Sequence, residues 1–145
     1  MKVLIQRVLS AAVEIDGVIH SQIEQGLLLY VCFESNDNKT TIDKSVKKLT
    51  SLRIFEDDNG KMNRNILQTK HSIMSISQFT LSWNGSGGNR PSFENSMKPD
   101  QACSLYDLFN SELSDNIDHV KTGKFGADMK VCSNNDGPVT FFLSF

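Results

Sequence analysis

The first fifteen residues alternate. Residues 2–8, KVLIQRV, set apolar against polar side chains in turn, and AAVEI at 11–15 continues like a half-buried strand. Asp16-Gly17 then separates VEI from VIH. Asp-Gly supports the positive φ angles of a two-residue type I′ turn, so a hairpin is expected here. Gly26 opens LLLYVCF, an apolar run without alternation, which reads as a central strand covered on both faces.

From 37 to 51 the period changes. Ile42, Val46 and Leu49 recur at i, i+4 and i+7, with Asp43 one turn before Lys47 and Asp37 or Asn38 placed to cap, so a helix with one apolar stripe is expected. LRIF (52–55) returns to strand and EDDNG (56–60) to turn, while HSIMSISQFTL (71–81) alternates again and is expected as strand throughout. SWNGSGGNRP (82–91) reads as the most flexible stretch. Pro99 starts a second helix with Ala102, Leu105, Phe109 and Leu113 on one face and Leu108 widening it. VKTGKFGADMKVCS (120–133) and PVTFFLSF (138–145) are expected as closing strands, with a glycine-interrupted connection around 123–126. Hairpin-joined strands without regular β-α-β alternation imply one α+β domain, 1–145, on a curved, mostly antiparallel, barrel-like sheet with two main helices. The FFLSF end is apolar enough to be buried, with a second subunit as one candidate cover.

Composition narrows the class. With 145 residues, 39% hydrophobic and 22% charged, the chain reads as an ordinary soluble domain. No apolar stretch approaches the roughly 20 residues of a membrane span. MKVLIQRVLSAAVEI lacks a signal-peptide hydrophobic block, so a cytoplasmic protein without membrane contact is expected. Cys32, Cys103 and Cys132 form no C-x-x-C pair, and His20, His71 and His119 have no ligand spacing; neither a metal nor a cofactor is expected. A net charge of −2 argues against holding nucleic acid by bulk electrostatics. Lys44, Lys47, Lys48 and Arg53 cluster, as do Lys121, Lys124 and Lys130; such runs are usually solvated faces, with local RNA contact as the sharper alternative.

The common catalytic constellations are missing, including G-x-S-x-G and the phosphate-cradling loop. One oddity stands out. Gly137-Pro138 interrupts the last strand-like segment, although proline removes a ladder donor and glycine weakens a strand. A plain turn would explain it, as would a need for unusual backbone at that point.

Six segments add a resemblance: IQRV (5–8), LRIFEDDNGKMN (52–63), SQFTL (77–81), RPSF (90–93), TGKFGADM (122–129) and NDGPVT (135–140). In this order along the whole chain, they resemble the recurring motifs of the D-aminoacyl-tRNA deacylases. The resemblance implies a homodimeric enzyme, without cofactor, that hydrolyses the ester between a D-amino acid and the 3′ end of tRNA and also clears glycine from mischarged tRNA. It further implies that the Gly137-Pro138 bond is cis and enters the partner subunit's active site, where its carbonyls face the substrate's α-amino group. Rejection of L-amino acids by clash lets one pocket serve many D-amino acids.

Residue by residue, Arg7 matches the position that holds the Gly-Pro loop, a task suited to a planar fork of donors. On pattern alone it would be a surface arginine. Ser77, Gln78, Phe79 and Thr80 match the pocket strand, with backbone N–H groups around Gln78 and Phe79 as candidate oxyanion donors. Phe125 and Met129 match positions lining the adenosine pocket. A threonine hydroxyl without an adjacent base is a weak nucleophile, so direct attack by water, helped by the substrate's ribose 2′-OH, is the preferred mechanism. Thr80 then positions water or substrate, or merely suits a strand. The chain departs from the family at SWNGSGGN, which has no basic residue before Arg90 and leaves the mode of tRNA contact open. The competing readings are a non-catalytic nucleic-acid-binding or interaction module on the same fold and a hydrolase of L-aminoacyl-tRNA.

Overall fold

Eight strands and three helices follow in the order β1 (Lys2–Ile15), β2 (Val18–Ile23), β3 (Gly26–Cys32), α1 (Lys39–Ser51), β4 (Phe55–Glu56), β5 (Met62–Arg64), α2 (Ile66–Thr69), β6 (Ser72–Ser77), α3 (Pro99–Ser114), β7 (Val120–Thr122) and β8 (Lys130–Ser144). The structure is a computed structural model that describes residues 1–145. β1 organises the sheet. Along one edge it pairs antiparallel with β8; along the other it pairs with β3 beside its first half and β2 beside its second. Asp16 and Gly17 make the expected turn, with φ of 52° and 80°, and set Ile15 opposite Val18.

β3 pairs with β6, and β6 with β7, in parallel. Parallel neighbours require crossovers, and α1 and α3 lie in them, so the fold contains two β-α-β units. The two units do not amount to a regular alternation, and antiparallel pairs predominate in the α+β fold. The Ser21 hydroxyl on β2 donates to the Thr122 carbonyl on β7 at 2.8 Å, so the mixed sheet curls into a nearly closed barrel. At the start of β3, a Cβ on Gly26 would stand 1.9 Å from the Ser72 carbonyl oxygen; only glycine permits that approach.

The continuous apolar character of β3 has its cause in two cores. Leu27, Leu29 and Val31 face the larger cluster under α1 and α3, together with Val3, Ile5, Ile42, Leu49 and Phe109. Leu28 points the other way, into a smaller cluster inside the curl with Val8, Val13, Met74 and Ile76. Ile42, Val46 and Leu49 of α1 are buried as the period requires. Asn38 caps the helix, its side chain accepting from the Thr40 amide at 2.9 Å, an interaction of about 1 kcal/mol. Asp43 takes its ion pair from Lys39 at 2.7 Å instead of Lys47, and the same ammonium also meets Glu112 of α3 at 2.9 Å.

A short helix, α2, adds to the two main ones, with a reciprocal capping box between Asn65 and Gln68. Three further expectations are corrected. LRIF contributes only Phe55 to strand. Tyr106, not Leu105, completes the buried stripe of α3, and its hydroxyl donates to the Ser75 carbonyl at 2.7 Å. The two closing strands are divided differently from expectation: 120–133 splits into the short β7 and the start of β8, and β8 runs as one strand on through Gly137-Pro138. No helix is long and apolar enough to cross a membrane.

Candidate functional site

Because β3, β6 and β7 are mutually parallel, their C-terminal ends emerge on one side, and a cavity of about 720 Å³ lies there. Its walls include Cys32 and Phe33 at the end of β3, Ser77, Gln78 and Phe79 at the end of β6, and the 125–129 segment after β7. Clefts outside the carboxyl ends of parallel strands are a general place for ligands.

SQFTL does not continue as strand. β3 ends at Cys32 and β7 pairs only with Ile73–Ser75, so beyond Ser77 the ladder has no partner and the chain closes on itself as a 3₁₀ turn over Phe79–Ser82. This turn is tied down at three points. The Gln78 amide donates to the Val31 carbonyl at 2.7 Å, the Cys32 thiol to the Phe79 carbonyl at 3.5 Å, and the Lys2 ammonium to the Ser82 carbonyl at 3.3 Å. Lys2 is itself held by Glu34 at 3.0 Å. The Gln78 amide is therefore engaged; the Phe79 and Thr80 amides, at the start of the turn, donate to no group of the chain. Thr80 is exposed and outside the cavity wall, and its Oγ1 accepts from Gln78 Nε2 at 2.7 Å.

Phe125 and Met129 do line the cavity. Phe125 rests against Tyr106, ring centroids 5.8 Å apart, so α3 backs this wall. Phe93 meets Phe79 edge-on at 5.0 Å. The charged lining residues are Lys98 and Asp128, and no histidine takes part. Burial first, then the nearby Glu34 charge, pushes the Cys32 thiol up to about 11, so it stays protonated and is no nucleophile at neutral pH.

Arg7, Gly137 and Pro138 lie elsewhere. Gln6 is opposite Thr140 and Val8 opposite Asn135, so residues 136–139 bulge from β8 where Arg7 faces it. The Gly137–Pro138 peptide bond is cis, and both residues are exposed. Gly137 has φ +127°, a conformation closed to other L-residues in practice. Arg7 is buried on β1, not on the surface, and works from beneath. Its Nη1 donates to the Ile54 carbonyl at 2.7 Å and its Nε lies 2.9 Å from Asp136 Oδ2, the N–H not aligned for a full hydrogen bond. The loop is thus held through the Asp136 carboxylate, not through the Gly-Pro carbonyls. Asn135 Oδ1 accepts from the Val139 amide at 3.2 Å and closes the base of the bulge.

Two groups therefore form: Ser77, Gln78, Phe79, Phe125 and Met129 around the cavity, and Arg7, Gly137 and Pro138 at the bulge. The residues overlooked from sequence are Cys32, Phe33, Met97 and Lys98 in the cavity wall, and Asp136 under the bulge. The run LLLYVCF marked a central strand, but nothing local announced that its end abuts that of β6.

Residues 4–144 match the family described as D-Tyr-tRNA(Tyr) deacylase. Among solved structures, the c-Myc DNA Unwinding Element Binding Protein is 35% identical, with a TM-score of 0.96 over 100% of this chain and 99% of its own. A probable eukaryotic D-amino acid tRNA deacylase is 16% identical, with a TM-score of 0.85 over 98% of this chain and 97% of its own.

Proposed function

The chain belongs to the D-Tyr-tRNA(Tyr) deacylase family, and from that premise we propose how its two groups of residues divide the work of hydrolysing D-aminoacyl-tRNA. The enzyme is a hydrolase of the ester between a D-amino acid and tRNA. The observation that carries the assignment of roles is the convergence of Ser77–Phe79 and Phe125–Met129 on one cavity.

In this reading the terminal adenosine sits against Phe125 and Met129, and the ester carbonyl lies beside the 3₁₀ turn. Water attacks the carbonyl carbon while the oxyanion is met by the free amides of Phe79 and Thr80. The bond to the ribose oxygen then breaks, the ribose leaves with a proton, and the amino acid departs as the carboxylate. The substrate's 2′-OH assists the proton transfer, since no histidine lines the cavity and the Cys32 thiol stays protonated. Thr80 Oγ1, already engaged by Gln78, positions water or substrate without forming a covalent intermediate. No cofactor takes part.

Chiral selection falls to Gly137 and Pro138 of a second copy. Support comes from their exposure and from the cavity of their own chain, whose lining they do not join. The outer edge of β8 pairs with no strand and carries Phe142, 52% exposed, beside Phe141 and Phe145. An unpaired edge with exposed apolar side chains is the kind of surface a two-fold dimer covers. Glycine, being achiral, passes the same gate, so glycyl-tRNA is also a substrate. A cytoplasmic location, where charged tRNA is met, completes the reading.

The test compares D-Tyr-tRNA with L-Tyr-tRNA. Release of tyrosine from the D-ester with the L-ester retained is expected; preferential loss of the L-ester rejects the assignment. A second reading, binding of nucleic acid without hydrolysis, draws on the DNA-binding name of the 35% identical chain. It would be favoured if tRNA binds and neither ester is cleaved.

A further inference from the structure

We propose that Phe79 and Phe93, with Lys98 beside them, form a second nucleotide subsite on the rim of the cavity, for the base and phosphate that precede the terminal adenosine of a tRNA 3′ end. This rests on the deacylase reading of the cavity. Phe79 lines the cavity and yet is 57% exposed. Its ring meets Phe93 with centroids 5.0 Å apart and planes at 75°. A perpendicular pair offers one ring face to an incoming flat group while the other ring acts as a stop. The edge contact with Phe93 leaves aromatic surface in water at the mouth of an apolar cavity, and a nucleobase would cover it.

Both rings stand on held backbone. Phe79 is fixed through the Cys32 thiol. Phe93 begins a turn closed by the Ser96 amide at 2.9 Å, and this segment is pinned where the Met97 amide donates to the Phe33 carbonyl at 3.0 Å. A platform already ordered loses little entropy when it is occupied. Lys98 follows on the same wall, is exposed, and takes part in no ion pair of the chain. The other charged lining residue, Asp128, belongs to the 125–129 wall. The nearby NGSGGN stretch (84–89) carries no charge, so a grip there cannot be ionic, whereas base stacking needs no charge and tolerates any base.

The test uses two D-tyrosyl esters, one of adenosine alone and one of the trinucleotide CCA. Phe93→Ala is expected to lower kcat/KM for the CCA ester about tenfold more than for the adenosine ester, as the loss of one stacked base predicts. Phe93→Trp should restore the difference. Lys98→Gln, at an exposed position that does not endanger folding, should raise KM for the CCA ester selectively. Equal losses on both esters in Phe93→Ala and no selective effect in Lys98→Gln would overturn the subsite. If the unaltered protein cleaves neither ester, the deacylase reading fails, and the subsite with it.

Discussion

The cavity and the β8 bulge are built by opposite means. The cavity is concave, lined mostly by apolar residues, and assembled from the ends of three parallel strands that are distant in sequence. The bulge is convex, exposed at its tip, and made from four consecutive residues squeezed out of one strand. The cavity is shaped by packing behind it, through Tyr106 and the two cores. The bulge is shaped by polar tethers beneath it, from Arg7 and Asn135. Under the proposed function, depth and a dry wall suit the surface that receives a ligand, and stiffness without burial suits the one that enters a second copy, so the proposed site draws on both.

The residue beneath the bulge should matter most. Arg7→Ala leaves the Ile54 carbonyl without its donor and Asp136 without its counter-charge, which should cost about 2–3 kcal/mol of stability. A denaturant midpoint would show this, and hydrolysis of D-Tyr-tRNA should fall further than the stability loss explains. A mutant that is destabilised but fully active at low temperature would separate Arg7 from function.

Next, matched glycine substitutions set the two regions against each other. In Gly137→Ala the new Cβ would lie 2.6 Å from Val139 Cγ2 at a backbone angle alanine avoids, a local strain of about 1–3 kcal/mol. The ratio of D- to L-ester cleavage should drop. In Gly123→Ala the Cβ would meet the Met129 sulfur at 2.6 Å, within a flexible side chain that lines the cavity, so Met129 must give way at a cost of about 1–3 kcal/mol. There KM should rise and the D/L ratio should hold. If both substitutions altered the same parameter, the division of roles would be wrong.

The smallest effect is expected at Thr80. Thr80→Ala should keep more than about a tenth of the hydrolysis rate, because no base stands ready to activate the hydroxyl. Its pH profile should rise without a bell shape, as fits a cavity lined by no histidine. Complete loss in a folded protein would revive a threonyl intermediate.

Local order was legible in the sequence. The hairpin at Asp16-Gly17, the buried stripe of α1 with its Asn38 cap, and the start of α3 at Pro99 each depend on a few neighbouring residues. The motifs around Ser77–Thr80, Phe125–Met129 and Gly137-Pro138 were visible too, though only the family resemblance, and no local pattern, assigned them to one site. Misreadings arose where a distant partner decides. SQFTL alternates like a strand, yet it turns because neither β3 nor β7 extends far enough to pair with it. Gly137-Pro138 looked like a break between strands; β8 continues because β1 pairs with it on both sides of the bulge.

The periods, the caps, the tight turn and the chemistry available at each motif follow from side-chain type and spacing over one or two turns of chain, and so are local properties. That three strands run parallel and open one cavity, and that Arg7 reaches Asp136 from below, depends on contacts between distant segments. Parallel pairing joins residues separated by whole crossovers, and no short-range pattern encodes which strand ends will meet.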